Sequence, residues 1–484
     1  MKTLNLTLED TQTKLYLKIA QAIRHAVKNG TVIPEERLPS ARALAEQLSV
    51  NRHTIMAAYN ELVAQGWVET KQRQGYTVAK VLPVYRALTS KSANITKANK
   101  HAWRIIKPSQ DSFSRPAHDY SFNFAGGNPD IDLFPFNELR GFINEALNRP
   151  AIKELNYGDN GGFQPFIKEV STYLRRVRSI TDKEIIVVNG TQEALYIISQ
   201  VLLKAGDKVA VENLGYRPAW AALRNAGAEL VGIKQTEQGI DVDDFEFLIK
   251  QDKIRLLYLT PLHQYPTTTT LSAEKRVKIY QLAQQYNIPI IEDDYDHEFH
   301  YHSQPLPPIA ANDPSGLVIY LSSFSKIMFP GIRLGIIAVD KSLATHFVSY
   351  RTLMNHKANV LLQDAVARWM KDGGFERHLR KSTRRYQKRR KCMVDTLNSF
   401  VDEGLSLEFT IPKGGMALWV NVGSQAEELT HLAKSKGIFL LAENAFHLNH
   451  QNNENKFIRL GFAGQSEEKI KQGLLLLKPL LKLA

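Results

Sequence analysis

From Asp119 onward, short apolar runs alternate with amphipathic stretches, and no other feature of the chain limits its fold so tightly. EIIVVNG reads as a buried strand and TQEALYIISQVLL, directly after it, as an amphipathic helix. KVAVENLGY, AELVGIKQ, IRLLYLTP, IPIIEDDY and LVIYLSSFSK follow as further strands separated by helical stretches. Alternation of this kind predicts an α/β domain with a largely parallel sheet. Such a sheet binds its ligand outside the C-terminal ends of the strands, so chemistry is to be sought in the residues that close each run.

Four of these strand ends carry suitable groups. VVNG passes into a helix at Thr191, so Gly190, Thr191 and Gln192 aim free amides outward, as a phosphate site requires. IIEDDYDHEF supplies Asp293, which would keep a pyridine nitrogen protonated, and Tyr295, whose hydroxyl suits a phenolic oxygen. SSFSKIMFPGIRLG surrounds Lys326 with serines, Ser323 among them, and sets Arg333 seven residues on. A lysine at a strand end can form a Schiff base, and the serines and arginine suit a phosphate. NLGYRPAW presents Tyr216, whose ring suits stacking on a flat cofactor. His297, His300 and His302 lie near Asp296 and Glu298, but their irregular spacing after a strand points to packing rather than a metal, and none is expected.

The first 78 residues follow another rhythm. Leu15, Ile19, Ile23, Ala26 and Val27 recur at helical spacing until Asn29-Gly30 stops them. Ser40 caps a second short helix, and a third runs from about Arg52 to Gln65 with Ile55, Tyr59, Leu62 and Val63 inward. WVETKQRQGYTVAK then alternates around a Gln74-Gly75 turn, as a hairpin does. Two short helices about a tight turn, followed by a hairpin, form a winged helix-turn-helix that lays its second helix in a major groove. Arg52, His53 and Thr54 stand on the first turn of that helix.

Residues 79–118 lack periodicity, are rich in Ser, Lys, Asn and Pro, and hold eight Lys or Arg against Asp111 alone. They read as a basic flexible linker between residues 1–78 and the body, 119–484. The run Phe375–Lys391 concentrates nine more basic residues and is expected to be a long helix with a solvated charged face. MKTLNLTLED has no apolar stretch behind its lysine, the tract GLLLLKPLLKLA is short and interrupted, and Cys392 has no second cysteine to pair with. A cytoplasmic protein without a membrane span or internal disulfide is expected.

RLPSARALAEQLSVNRHTIMAAYNELVAQGW resembles the GntR family of bacterial regulators almost throughout. The resemblance implies that Arg42, Arg52, His53 and Thr54 touch double-stranded operator DNA. The wing keeps only Gly75 and Thr77 of that family's usual Gly-Ser-Gly-Thr pattern. The four strand ends together resemble the type I aminotransferase fold, a mostly parallel large domain with a small α/β domain. That likeness implies pyridoxal 5′-phosphate as cofactor and Lys326 as its Schiff-base lysine. It also implies Asp293 at the pyridine nitrogen, Tyr295 at the ring hydroxyl, Tyr216 stacked, and Ser323 and Arg333 with Gly190, Thr191 and Gln192 on the phosphate. Tyr157, in NYGDNGG, resembles the tyrosine that reaches the neighbouring subunit's phosphate, and Arg459, in FIRLGFAG, the arginine that clamps a substrate carboxylate. Ordinary aminotransferases show Asn-Pro-x-Gly where this chain has QYPTTTT, so Tyr265 replaces the asparagine and Thr268 the glycine. GntR-like head, linker and aminotransferase-like body together resemble the MocR-type regulators, of which HQYPT is typical. This implies a head-to-tail homodimeric transcription factor sensing pyridoxal phosphate, alone or with an amino compound. The alternatives are a working aminotransferase with an incidental head, and a DNA-binding protein whose body only dimerises.

Overall fold

The computed structural model describes residues 4, 6, 13–71, 75–83, 120–156, 158–301, 304–449 and 455–482. Tyr157, Gln74, His302 and all but the first few positions of the expected linker lie outside the described residues. The chain divides into two compact units, residues 1–105 and 106–484.

In the first unit, three helices and a hairpin enclose one small core. Helices α1 (Leu15–Lys28), α2 (Ala41–Leu48) and α3 (Arg52–Ala64) bury Ile19, Ile23, Leu44, Ile55, Tyr59 and Leu62 against one another. Each such side chain contributes about 1.5–3 kcal/mol of burial. Ser40 Oγ accepts from the amide of Ala43 and Asn51 Oδ1 from that of His53, so both helices of the pair start on capped ends. Between them Ser49 turns the chain with a left-handed φ of 53°. The Tyr59 hydroxyl donates to the carbonyl of Pro39, tying α3 to the approach of α2. Strands β1 (Val68–Lys71) and β2 (Gly75–Val78) pair antiparallel, Val68 opposite Val78, as the expected wing. Val63, expected inward, is only half-buried, because the core of this small unit closes at Leu62 and Trp67.

The second unit is built on a seven-stranded sheet. In spatial order its strands are Glu184–Val188, Gly335–Val339, Val318–Ser323, Ile290–Asp293, Ile254–Leu259, Lys208–Glu212 and Glu229–Ile233. All run parallel except Gly335–Val339, which is antiparallel to both neighbours. That strand was not separated from the lysine segment in the sequence, since only the loop Phe324–Leu334 parts it from the strand before. One face is covered by a core including Phe166, Phe324 and Trp369, and the other by Ile198, Trp220 and Phe347. With both faces covered, strands need no polar alternation, which is why they read as continuous apolar runs. A smaller antiparallel sheet, containing Ala417–Asn421 and Phe457–Gly461, packs its own core against Met393, Leu397 and Phe400 of the long helix Gly374–Asp402. Among the described residues no helix is long and apolar enough to cross a membrane.

Candidate functional site

The parallel strands end at one edge of the large sheet, and there a cavity of about 280 Å³ opens. Thr191, Gln192, Tyr216, Asp293, Tyr295, Ser323, Lys326, Arg333 and Arg459 all line it. Topology therefore brings together residues up to 268 positions apart in the chain. Gly190 stands one residue behind, at the start of the helix Thr191–Leu202, with φ +95°. A Cβ there would stand 3.2 Å from the Arg333 guanidinium, which would have to give, and the φ itself would strain any larger residue. The Arg333 guanidinium in turn donates to the carbonyl of Asn189, which fixes a positive charge beside that helix's open amides.

At the cavity floor, Asp293 is 5% exposed, and its Oδ2 accepts from the Tyr258 hydroxyl at 3.0 Å. Its Oδ1 is buried without a hydrogen bond. Burial pushes this carboxyl up to about 7, with Asp294 and Asp296 adding to the rise while Tyr258 and Lys326 oppose it. An N–H cation set against Oδ1 would relieve both the missing bond and the buried charge. Lys326, three residues past its strand, is brought down to about 8, first by burial and then by the positive charge of Arg459. At neutral pH about a tenth of this amine is therefore uncharged and nucleophilic, far more than for an ordinary lysine.

Arg459 is 2% exposed, and no carboxylate pairs with it among the described residues. It lies 4.8 Å over the ring of Tyr265, reaches the carbonyl of Ala125 only at 3.4 Å, and leaves Nε without a partner. Tyr265, in turn, meets Tyr216 edge-on at 5.5 Å, so the residue replacing asparagine forms an aromatic wall beside the arginine. The Tyr295 hydroxyl donates to the carbonyl of His263 at 2.9 Å, which leaves its lone pairs for a donor in the cavity.

Three supports were not foreseen. Tyr258 orients Asp293. Buried Glu212 accepts from both the amide and hydroxyl of Thr260. His263 Nδ1 meets Asp296 Oδ1 at 2.7 Å, clamping the HQYP turn to the segment that follows Asp293. The signal for Tyr258 was present: a hydroxyl within the aliphatic strand IRLLYL must find a buried partner. By contrast His297, fully packed, faces Glu298 at 3.0 Å, and among the described residues no group of three potential ligands converges on a metal site.

On the first unit, Arg42, Arg52 and His53 are exposed and Thr54 is half-buried, Arg42 lying on α2 and the other three on the first turn of α3. Arg42 spans one turn to Glu46 at 3.3 Å, an exposed pair that restrains it weakly.

Comparisons with known proteins agree with this division. Residues 124–475 match the family of class I and II aminotransferases, and residues 15–78 match the gntR family of bacterial regulatory proteins. The chain is 28% identical over 471 residues to the Probable rhizopine catabolism regulatory protein MocR of Rhizobium meliloti, covering 96% of this chain and 93% of that one. It is 30% identical over 361 residues to aromatic-amino-acid aminotransferase 1 of Thermococcus litoralis, covering 73% and 86% respectively. The crystal structure of Pyrococcus horikoshii kynurenine aminotransferase in complex with PMP superposes with a TM-score of 0.70 at 30% identity, over 76% of this chain and 92% of that one. The chain thus belongs to the class I and II aminotransferase family and, carrying a gntR-family domain ahead of it, to the DNA-binding regulators of the MocR type. The aminotransferase family depends on pyridoxal phosphate. The cavity fits that cofactor: an orphaned buried carboxylate oxygen for a ring N–H, an amine of lowered basicity for an aldehyde, and a helix start with a guanidinium for a phosphate.

Proposed function

We propose that this regulator senses pyridoxal 5′-phosphate, alone or with a small amino compound bearing a carboxylate. The observation that carries the reading is Arg459, a buried guanidinium without a counter-charge among the described residues, in the same cavity as Lys326 and Asp293. Such a charge is costly until a carboxylate meets its planar fork. When bound, pyridoxal phosphate supplies an aldehyde for an amine and an electron-withdrawing ring. In this reading Lys326 offers the amine, Asp293 holds the ring nitrogen's proton, Tyr295 accepts from the ring hydroxyl and Tyr216 stacks. Gly190, Thr191, Gln192, Ser323 and Arg333 hold the phosphate, joined by Tyr157 of the partner subunit in a head-to-tail homodimer. Residues 1–78 read the operator through Arg42, Arg52, His53 and Thr54, residues 79–118 are a basic linker, and residues 119–484 form the sensing and dimerising unit.

Borohydride reduction followed by peptide mapping tests the cofactor half of the proposal. The label is expected on Lys326, and a label on another lysine, or none after incubation with cofactor, overturns it. A second reading, a working aminotransferase, is favoured by the intact set of Lys326, Asp293 and Arg459. Turnover in the ordinary enzyme range of roughly 1–1000 per second, with operator binding indifferent to cofactor and amino acids, would select that reading instead.

A further inference from the structure

The basic run lies on the long helix Gly374–Asp402 with an exposed charged face, and seven of its nine cations are exposed. Arg389 and Arg390 are buried, reaching the carbonyls of Ala463 and Pro412, and Lys391 pairs with Asp395. The other six, Arg377, Arg380, Lys381, Arg384, Arg385 and Lys388, recur at intervals of three and four and together line a single open groove of about 340 Å³. Among the described residues no acidic side chain lines it. Arg377 is tied to Glu138 and Asp372, and Arg385 stands 3.9 Å from Glu467. Among the described residues Arg380, Lys381, Arg384 and Lys388 are exposed and form no ion pair.

Like charges three and four residues apart destabilise a helix, so this arrangement works against the element that carries it. Its opposite face cannot turn away, because Phe375, Tyr386, Met393 and Leu397 fix the helix in the body. The six cations span about 17 Å along the axis at 1.5 Å per residue. That is close to half a turn of duplex, a stretch over which one phosphate backbone presents a row of negative charges. The same chain carries a gntR-family domain, so duplex DNA is the polyanion that the molecule itself tethers at high effective concentration.

We propose that this helix face of the aminotransferase-like unit binds the phosphate backbone of DNA flanking the sequence read by the gntR unit. The groove adds affinity and salt dependence without adding base specificity. The inference rests on operator binding by the gntR unit, so the experiment separates the two contributions. A duplex selected by the full-length, cofactor-loaded protein from a randomised pool is prepared at two lengths, the bare recognised sequence and the same sequence with about 20 flanking base pairs on each side.

Wild type is expected to bind the long duplex more tightly, and its hydroxyl-radical footprint should extend into the flanks. The quadruple variant Arg380→Gln, Lys381→Gln, Arg384→Gln and Lys388→Gln should lose at least about tenfold in affinity for the long duplex only. Its log–log salt slope should fall by about 2–4, roughly one per lost phosphate contact. The matching quadruple Arg-to-Lys and Lys-to-Arg exchange should retain wild-type behaviour, and binding to the short duplex should be the same for all three proteins. A wild-type footprint confined to the recognised sequence, or equal affinity and slope for wild type and the glutamine variant on the long duplex, overturns the proposal. Loss of short-duplex binding by wild type would instead count against the gntR unit as reader.

Discussion

Arg52 and His53 on α3 stand in water, and no hydrogen bond or ion pair of their side chains is found among the described residues. Asp293 and Arg459 are enclosed by protein and Lys326 is half-buried in the same cavity, and burial resets two of the three, the lysine down to about 8 and the aspartate up to about 7. The first arrangement suits a partner that brings its own dense charge and must be released as salt rises. The second suits a ligand whose few polar atoms each answer a group already desolvated and held in place. One chain thus holds two kinds of recognition, and substitutions in one region are expected to leave the other's behaviour in the unliganded protein unchanged.

The largest effect that would sharpen this contrast is at Lys326. Lys326→Ala should abolish covalent, borohydride-fixed cofactor entirely while operator affinity of the unliganded protein stays at wild type, as read by absorbance and by DNA titration. Persisting covalent label would break the assignment. Next in size is the pH dependence of attachment. Because Lys326 is lowered to about 8, its neutral fraction grows as pH rises toward that value. The rate of covalent attachment should therefore climb about tenfold per pH unit between 6 and 7.5 and level off above about 8. Arg459→Met removes a positive neighbour and should move that plateau to higher pH. A rate still rising tenfold per unit up to pH 10 would mean an ordinary lysine.

Arg52→Ala should weaken operator binding by about 1–3 kcal/mol, some five- to 150-fold, with an unchanged cofactor spectrum. Equal footprints for variant and wild type would show that α3 is not the reader. The smallest effect is expected at Ser40, whose hydroxyl oxygen caps α2. Ser40→Ala should cost about 0.5–2 kcal/mol in the stability of the first unit, measured by thermal unfolding, and leave that of the second unaltered.

Both regions were legible in the sequence to different depths, for physical reasons. The first unit depends on local signals, caps and helical spacing, and Ser40, Ile55 and Leu62 act in the structure as their spacing predicts. The residues lining the cavity were also legible, because a parallel sheet delivers strand ends to one edge whatever lies between them. What escaped was pairing at long range. Tyr258 with Asp293, His263 with Asp296, and the position of Arg459 over Tyr265 join strands and loops whose adjacency only the folded sheet creates. The basic run of the long helix was legible as an exposed charged face, but not in its detail. Composition displayed nine cations but not that two of them turn inward to backbone carbonyls while six share one groove.

The central claim is that occupation of the buried cavity alters the exposed reader. A ligand changes an equilibrium only by its differential affinity for the two states, so the most direct measurement is operator affinity of the full-length protein, stripped of cofactor, loaded with it, and loaded with cofactor plus a panel of amino acids. A reproducible change in affinity or in DNA bending on loading is expected, with any carboxylate-dependent part blunted in Arg459→Ala although that variant still binds cofactor. Identical operator affinity and bending in all three states would contradict the account.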